Sequence, residues 1–238
     1  MDKQLRENLK HDKFVEEVGH TVHYLQGHKE AVRKYGAIAA AVLVIAAAAY
    51  GFRGYQASQR QDELRKANAV LDAHVGPQNP TGGLAFATQA EKDAASLKAF
   101  SEVAAKHAGS KEGNLARFYA ATLLCDQGKI QECEAAFKQV IADGDANSAS
   151  LARLSLSTLY FAQGKLPDAE PIARELVNKP TAVVSKEQAQ IVLARILAKT
   201  KPQEAKILLE SLQALDRPPV TRAAVAVLGE MMGQQAPR

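Results

Sequence analysis

Four of the six histidines, His11, His20, His23 and His28, lie close to the N-terminus, ahead of Lys29. Imidazole ligates transition metals and titrates near neutrality, so metal or proton chemistry is sought there first. His20 and His23 are three apart and share one side of a helix. No acidic or thiolate residue joins them at a ligand spacing. Phe14, Val18, Val22 and Leu25 instead form an apolar stripe at helical spacing beside them. The expectation is no metal and no other cofactor. The stripe reads as an amphipathic helix for a membrane face or a partner helix, with a loosely ordered tail as the alternative. Cys125 and Cys133 are the only cysteines, and their spacing is not that of a Cys-x-x-Cys redox pair. An oxidising compartment would permit a disulfide between them, but buried unpaired thiols are the favoured reading. No phosphate-binding loop, nucleophile elbow or zinc signature occurs. The chain is therefore expected to be no enzyme, with no catalytic residues and no small-molecule substrate. The net charge of +4 is dispersed and makes no case for nucleic acid.

A chain poor in reactive groups offers surfaces instead, and the elements that carry them can be read in order. Tyr35 to Phe52 is an uncharged run. As a helix it is about 27 Å long, near the lower limit for crossing a hydrocarbon core. Tyr35, Tyr50, Phe52 and Tyr55 flank it where amphipathic rings prefer the headgroup layer. Three readings stand: an uncleaved anchor, a signal peptide cleaved near Ala47–Ala49, and a buried helix of a soluble fold. The anchor is favoured because the segment 1–34 precedes the run and carries Asp2, Glu7, Asp12, Glu16, Glu17 and Glu30, unlike a short basic leader. Lys3, Arg6, Lys10, Lys13, Lys29, Arg33 and Lys34 precede the run, against Arg53, Arg60, Arg65 and Lys66 in the equal length after it. That excess favours a cytoplasmic N-terminus.

The remainder of the chain, 54–238, is rich in Ala, Leu, Lys, Glu and Gln, a helical composition. Two segments align without gaps at a spacing of 36: LARFYAATLLCDQGKIQECEAAF from Leu115 and LARLSLSTLYFAQGKLPDAEPIA from Leu151. A third, from Glu187, keeps the register, so that Cys133, Ala169 and Ala205 recur at that same spacing. Each unit reads as two helices joined at a turn. Gly128 and Gly164 suit a left-handed helix C-cap, and Pro167 and Pro202 suit the first turn of the following helix. LKAFSEVAAKHAGS from Leu97 reads as a preceding half repeat, and VTRAAVAVLGEMMG from Val220 as a closing helix. GPQNPTGG from Gly76 breaks helix between a polar helix, about 55–75, and the repeats.

This pattern resembles the tetratricopeptide repeat. Ala121, Leu124, Gln127-Gly128-Lys129, Cys133 and Phe137 stand in the order of the family motif. So do Ser157, Tyr160, Gln163-Gly164-Lys165, Ala169 and Ala173, and more distantly Leu193, Ile196, Ala205 and Leu209. A generic array of helical hairpins is the competing reading. The expected fold is all-α: a single transmembrane helix followed by a short α-solenoid of divergent tetratricopeptide-like hairpins. Its parts are an N-terminal cytoplasmic segment (1–34), the transmembrane helix (35–53), a stalk helix and linker (54–83) and the repeat domain (84–238).

The layout as a whole resembles the YfgM-like tetratricopeptide proteins of bacteria, ancillary subunits of the SecYEG translocon. That resemblance implies a single-pass protein of the bacterial inner membrane with periplasmic repeats. SecYEG or periplasmic chaperones and clients would be its partners. The alternative is a structural scaffold in envelope biogenesis or cell division. The repeat resemblance also implies that the first helix of each pair lines a concave face. Its groove positions would be Leu115, Phe118, Thr122 and Cys125, then Leu151, Leu154, Thr158 and Phe161. So apolar a lining suits an extended or helical polypeptide, and equally the chain's own stalk or terminal helix.

Overall fold

The computed structural model describes residues 29–76, 83–215 and 217–235. The histidines His11, His20, His23 and His28 and the stripe from Phe14 to Leu25 lie outside the described residues. The chain divides into two compact units, Met1–Ser58 and Gln59–Arg238. The elements in chain order are α1 (Lys29–Leu71), β1 (His74–Val75), β2 (Ala85–Phe86), α2 (Gln89–Lys106), α3 (Lys111–Asp126), α4 (Ile130–Asp143), α5 (Ala146–Ala162), α6 (Leu166–Asn178), α7 (Lys186–Thr200), α8 (Pro202–Gln213) and α9 (Pro218–Gln235).

In the first unit, the apolar run is a helix whose side chains stay exposed. Val42, Leu43, Val44 and Ile45 each expose more than half of their surface. The helix is long and apolar enough to cross a membrane, and none of its apolar window is buried in the protein. A core helix of a soluble fold would be buried, so this structure does not use the run in that way. No break separates the run from the polar helix after it. Both are stretches of α1, which continues through Gly51 and Gly54 to Leu71.

The second unit is a linear array in which each helix from α2 to α9 packs on the next. The first helices of successive pairs, α3, α5 and α7, also touch one another. Local sequence explains the starts. Thr88, Ser110, Asp145 and Ser185 each accept a hydrogen bond from a first-turn amide of the helix that follows. It also explains two of the turns. Gly128 and Gly164 have φ of 73° and 72°, as a left-handed cap requires. The amides of Gly128 and Lys129 donate to Cys125 O and Leu124 O, and those of Gly164 and Lys165 to Phe161 O and Tyr160 O. These are two copies of one Schellman cap. At the third turn Lys201 leaves the helical region, with φ −141° and ψ 66°, and Pro202 opens α8 directly.

The repeat register places the core. Cys133, Ala169 and Ala205 expose none of their surface, and Phe137, Ala173 and Leu209 at most 2%. Ala121, Ser157 and Leu193 face them from the first helices within the same cluster or its immediate neighbours. The buried Ser157 hydroxyl donates to Ala169 O at 3.0 Å, so the two helices meet where the small residues allow it. The third unit matches the motif least, yet it is buried as fully as the first two.

At the N-terminal end of this unit, Leu64, Ala67 and Leu71 of α1 pack with Phe100, Val103, Ala116 and Leu123 of α2 and α3. Arg60 bonds Glu112, and Glu63 receives Lys106 and His107. The two-residue strands β1 and β2 pair in parallel and tie together the ends of the helix-breaking segment. A pairing this short carries no alternation by which a sequence could reveal it.

Candidate functional site

The seven residues expected to form a groove, with Cys125, lie on α3 and α5 at offsets of three and four, which aligns each set along one helix side. None of them is fully buried. Thr158 is exposed, and Leu115, Phe118, Thr122, Cys125, Leu151, Leu154 and Phe161 are half-buried. The threonine hydroxyls donate within their own helix, Thr122 to Phe118 O at 3.1 Å and Thr158 to Leu154 O at 2.9 Å. Their polar groups are thereby satisfied without a ligand.

The inner edges of these side chains are anchored in the core. The Phe118 ring lies 5.8 Å from Phe137. Leu151 and Leu154 pack on Leu176, Val184 and Ala189. Phe161 joins the central cluster, where Met231 of α9 also packs. The row therefore presents a half-covered apolar surface rather than an empty trough. At its C-terminal end the chain itself supplies part of the cover, through α9.

Cys125 and Cys133 are bonded to each other, with Cα atoms 5.1 Å apart. This corrects the expectation of unpaired thiols. The Schellman turn brings the last turn of α3 beside the first turn of α4, which puts the two Cα atoms within disulfide range. Cys125 is therefore a crosslink at the edge of the row and offers no free thiol.

Charged groups lie between the pairs rather than on the apolar row. Glu134 of α4 receives Lys138 at 2.7 Å and the Tyr160 hydroxyl at 2.9 Å, with Lys165 at 3.6 Å. One repeat later Glu170 receives Arg174 and Lys201, both at 2.8 Å. The two carboxylates stand one repeat apart, as do Lys138 and Arg174, and Lys165 and Lys201. Each cluster joins the second helix of one pair to the turn of the next. The Lys138 and Tyr160 hydrogen bonds hold Glu134 below the ordinary carboxylate range, and Lys201 and Arg174 do the same for Glu170. Burial, with Glu134 beside it, holds the Tyr160 phenol above its ordinary range. These carboxylates are committed to neighbouring cations and do not form a reactive pair. The signal for them was the period itself, applied to charged positions as well as apolar ones.

Among the described residues, no three His, Cys, Asp or Glu side chains converge as metal ligands do. A family model described as a tetratricopeptide repeat-like domain matches residues 29–175, more than half of the chain. No curated protein and no solved structure gives a significant match.

Proposed function

The chain belongs to the tetratricopeptide repeat-like family, and on that premise we propose that it is a membrane-anchored adaptor. Its repeats bind polypeptides at the outer face of the bacterial inner membrane. A domain of this kind serves protein–protein interaction. The finer reading is a YfgM-like subunit beside the Sec translocon, which meets SecYEG, periplasmic chaperones or secreted clients. The single observation that carries the binding role is the half-exposed apolar row of Leu115, Phe118, Leu151, Leu154 and Phe161 on successive first helices. Apolar surface left in water is stabilised when a partner covers it.

Two further features support the placement. The family match runs unbroken from the start of α1 into the repeats, which favours an anchor kept in the mature protein. The disulfide favours an oxidising compartment for the repeats and hence a cytoplasmic N-terminus. In this arrangement the anchor holds the repeats at the membrane and raises their effective concentration for membrane partners.

Co-purification of the full chain in mild detergent tests the reading. Translocon subunits and secreted chains should accompany the wild type and be depleted with Leu115→Ser and Phe118→Ser. Circular dichroism melting must show that each variant is folded. Unchanged partners with both folded variants would move the binding site elsewhere. Envelope-assembly proteins in place of translocon subunits would select the scaffold reading.

A further inference from the structure

Each first helix of a hairpin has two apolar sides. One packs on the helix before it: Ala116 and Leu123 of α3 cluster with Phe100 of α2, and Ala224 and Val227 of α9 with Leu209 and Leu212 of α8. The other side receives the helix that follows. Ala121 and Leu124 lie in one cluster with Cys133 and Phe137, Leu193 and Ile196 in that cluster with Ala205, and Ser157 bonds Ala169 O.

The helix α9 takes the next first-helix place in the series, since it packs on α8 and also touches α7. One repeat beyond Leu193 and Ile196 stand Gly229 and Met232. Ala121, Ser157 and Leu193 are buried, whereas Gly229 is exposed and nothing lies within 4 Å of a Cβ built on it. Tyr160 and Ile196 are buried, whereas Met232 is 68% exposed. Val225, on the same helix side as Gly229, is 51% exposed. Between Arg222 and Gly233 the sole charged residue is Glu230, and it reaches back toward Arg195 of α7 at 3.8 Å. The end helix of a solenoid ordinarily turns a polar face to water. Here α9 instead leaves open the apolar side that α4, α6 and α8 cover on the three first helices before it.

We propose that this side of α9 docks one amphipathic helix of a partner protein, which completes a fourth hairpin in trans. The interface continues the one already formed inside the three hairpins, and they define the occupant. Their second helices place a small residue at the close approach, Cys133, Ala169 or Ala205, and a second buried residue four positions later, Phe137, Ala173 or Leu209. Where the first helix offers only Ala121, the second supplies the ring of Phe137; where the first supplies Tyr160, Ala173 suffices. Gly229 offers less volume than any of its counterparts, and Met232 is unbranched and adapts to what covers it. The docked helix therefore carries a small residue followed four positions later by Phe or Leu. The same side of a second copy presents Val225, Gly229 and Gly233 at that spacing, which leaves the volume unfilled. The inference does not rest on the apolar row, because no row residue belongs to this side of α9.

Fluorescence anisotropy on the full chain in lipid nanodiscs tests it. The probe is a labelled peptide of residues 130–143 with Cys133→Ala. An amide link between Glu134 and Lys138, which already pair at 2.7 Å in α4, holds it helical. It should bind saturably, and the same peptide with Phe137→Ala should bind about tenfold more weakly. Met232→Glu in the protein, a change at an exposed position, should weaken the Phe137 peptide by about tenfold or more. Met232→Tyr gives α9 the ring that Tyr160 gives α5, and should abolish the preference for the Phe137 peptide over the Ala peptide. Melting curves must show that both variants fold. Absence of binding, equal affinity for the two peptides, or indifference to Met232→Glu would overturn the proposal. A dimer in analytical ultracentrifugation that Met232→Glu dissociates would also overturn it and assign this side of α9 to a second copy.

Discussion

The α3–α4 and α5–α6 pairs share a turn, a register and a burial pattern, but different side chains hold them together. In the first pair the large buried ring comes from the second helix, Phe137, and the facing first helix offers Ala121 and Leu124. In the second pair the ring comes from the first helix, Tyr160, and the second helix offers Ala169 and Ala173. The first pair is crosslinked by Cys125–Cys133, whereas the second joins its helices by the Ser157 hydroxyl on Ala169 O. Tyr160 also has a polar tip, which reaches Glu134 of the preceding pair. The backbone thus sets where volume is needed, and either helix can provide it. Burial requires close packing, not a particular residue at a particular place.

The comparison can be broken most severely at its largest difference. Phe137→Ala would give the first pair the small residue found at Ala173 without the compensating ring across from it. The cavity should cost about 3–5 kcal/mol, read from chemical denaturation of the full chain in detergent. A loss below about 1 kcal/mol would mean that the site collapses around the gap and that the two pairs are less distinct than their packing indicates.

Opening the crosslink is the next test. Reduction, or Cys125→Ala with Cys133→Ala, frees a loop with a sequence separation of 8. Loop-closure entropy sets the expected loss at roughly 2–3 kcal/mol. Reductant should leave the double variant unaffected, since Cys125 and Cys133 are the chain's two cysteines and no disulfide remains to be reduced. A wild-type stability equally indifferent to reductant would show that the first pair does not depend on its bridge either.

The smallest effect concerns what the two pairs share. Glu134 and Glu170 have folded-state pKa values below the unfolded value of about 4.3. Their ion clusters therefore contribute stability above that value and lose it as the pH falls through the folded pKa values. Acid titration of the melting temperature should show a decline below about pH 4.3. Glu134→Gln combined with Glu170→Gln should flatten that decline and lower stability at neutral pH. Side chains so close to the surface give a modest effect that salt reduces further. A decline of the same steepness in the double variant would assign it to other carboxylates.

Much of this architecture was legible because its causes are local or periodic. The glycine turns follow from the backbone that glycine alone adopts readily, and Gly128 and Gly164 show it with positive φ. The apolar run reads as a helix able to span a membrane because length and lack of charge are properties of the segment itself. The repeat register survives even in the third unit, where Leu193, Ile196, Ala205 and Leu209 are buried despite a weak motif. That Leu115, Phe118 and Thr122 share one helix side, as do Leu151, Leu154, Thr158 and Phe161, was also readable, since a helix side is set by spacing.

Tertiary structure decided what those residues touch. Spacing placed Phe161 on the row, but only the return of α9 sets Met231 and Val227 beside it and turns the row's end into a cleft. Spacing allowed Cys125 and Cys133 to be buried thiols, but the geometry of one turn brought them within bonding reach. The end of α1 read as a polar stalk helix, yet Leu64, Ala67 and Leu71 are covered by Phe100 and Val103, which belong to a different helix on the far side of the helix-breaking segment that starts at Gly76. The physical reason is the same in each case. A residue's conformation and helix side depend on its neighbours in sequence, whereas burial and pairing depend on groups that meet only when the whole array closes.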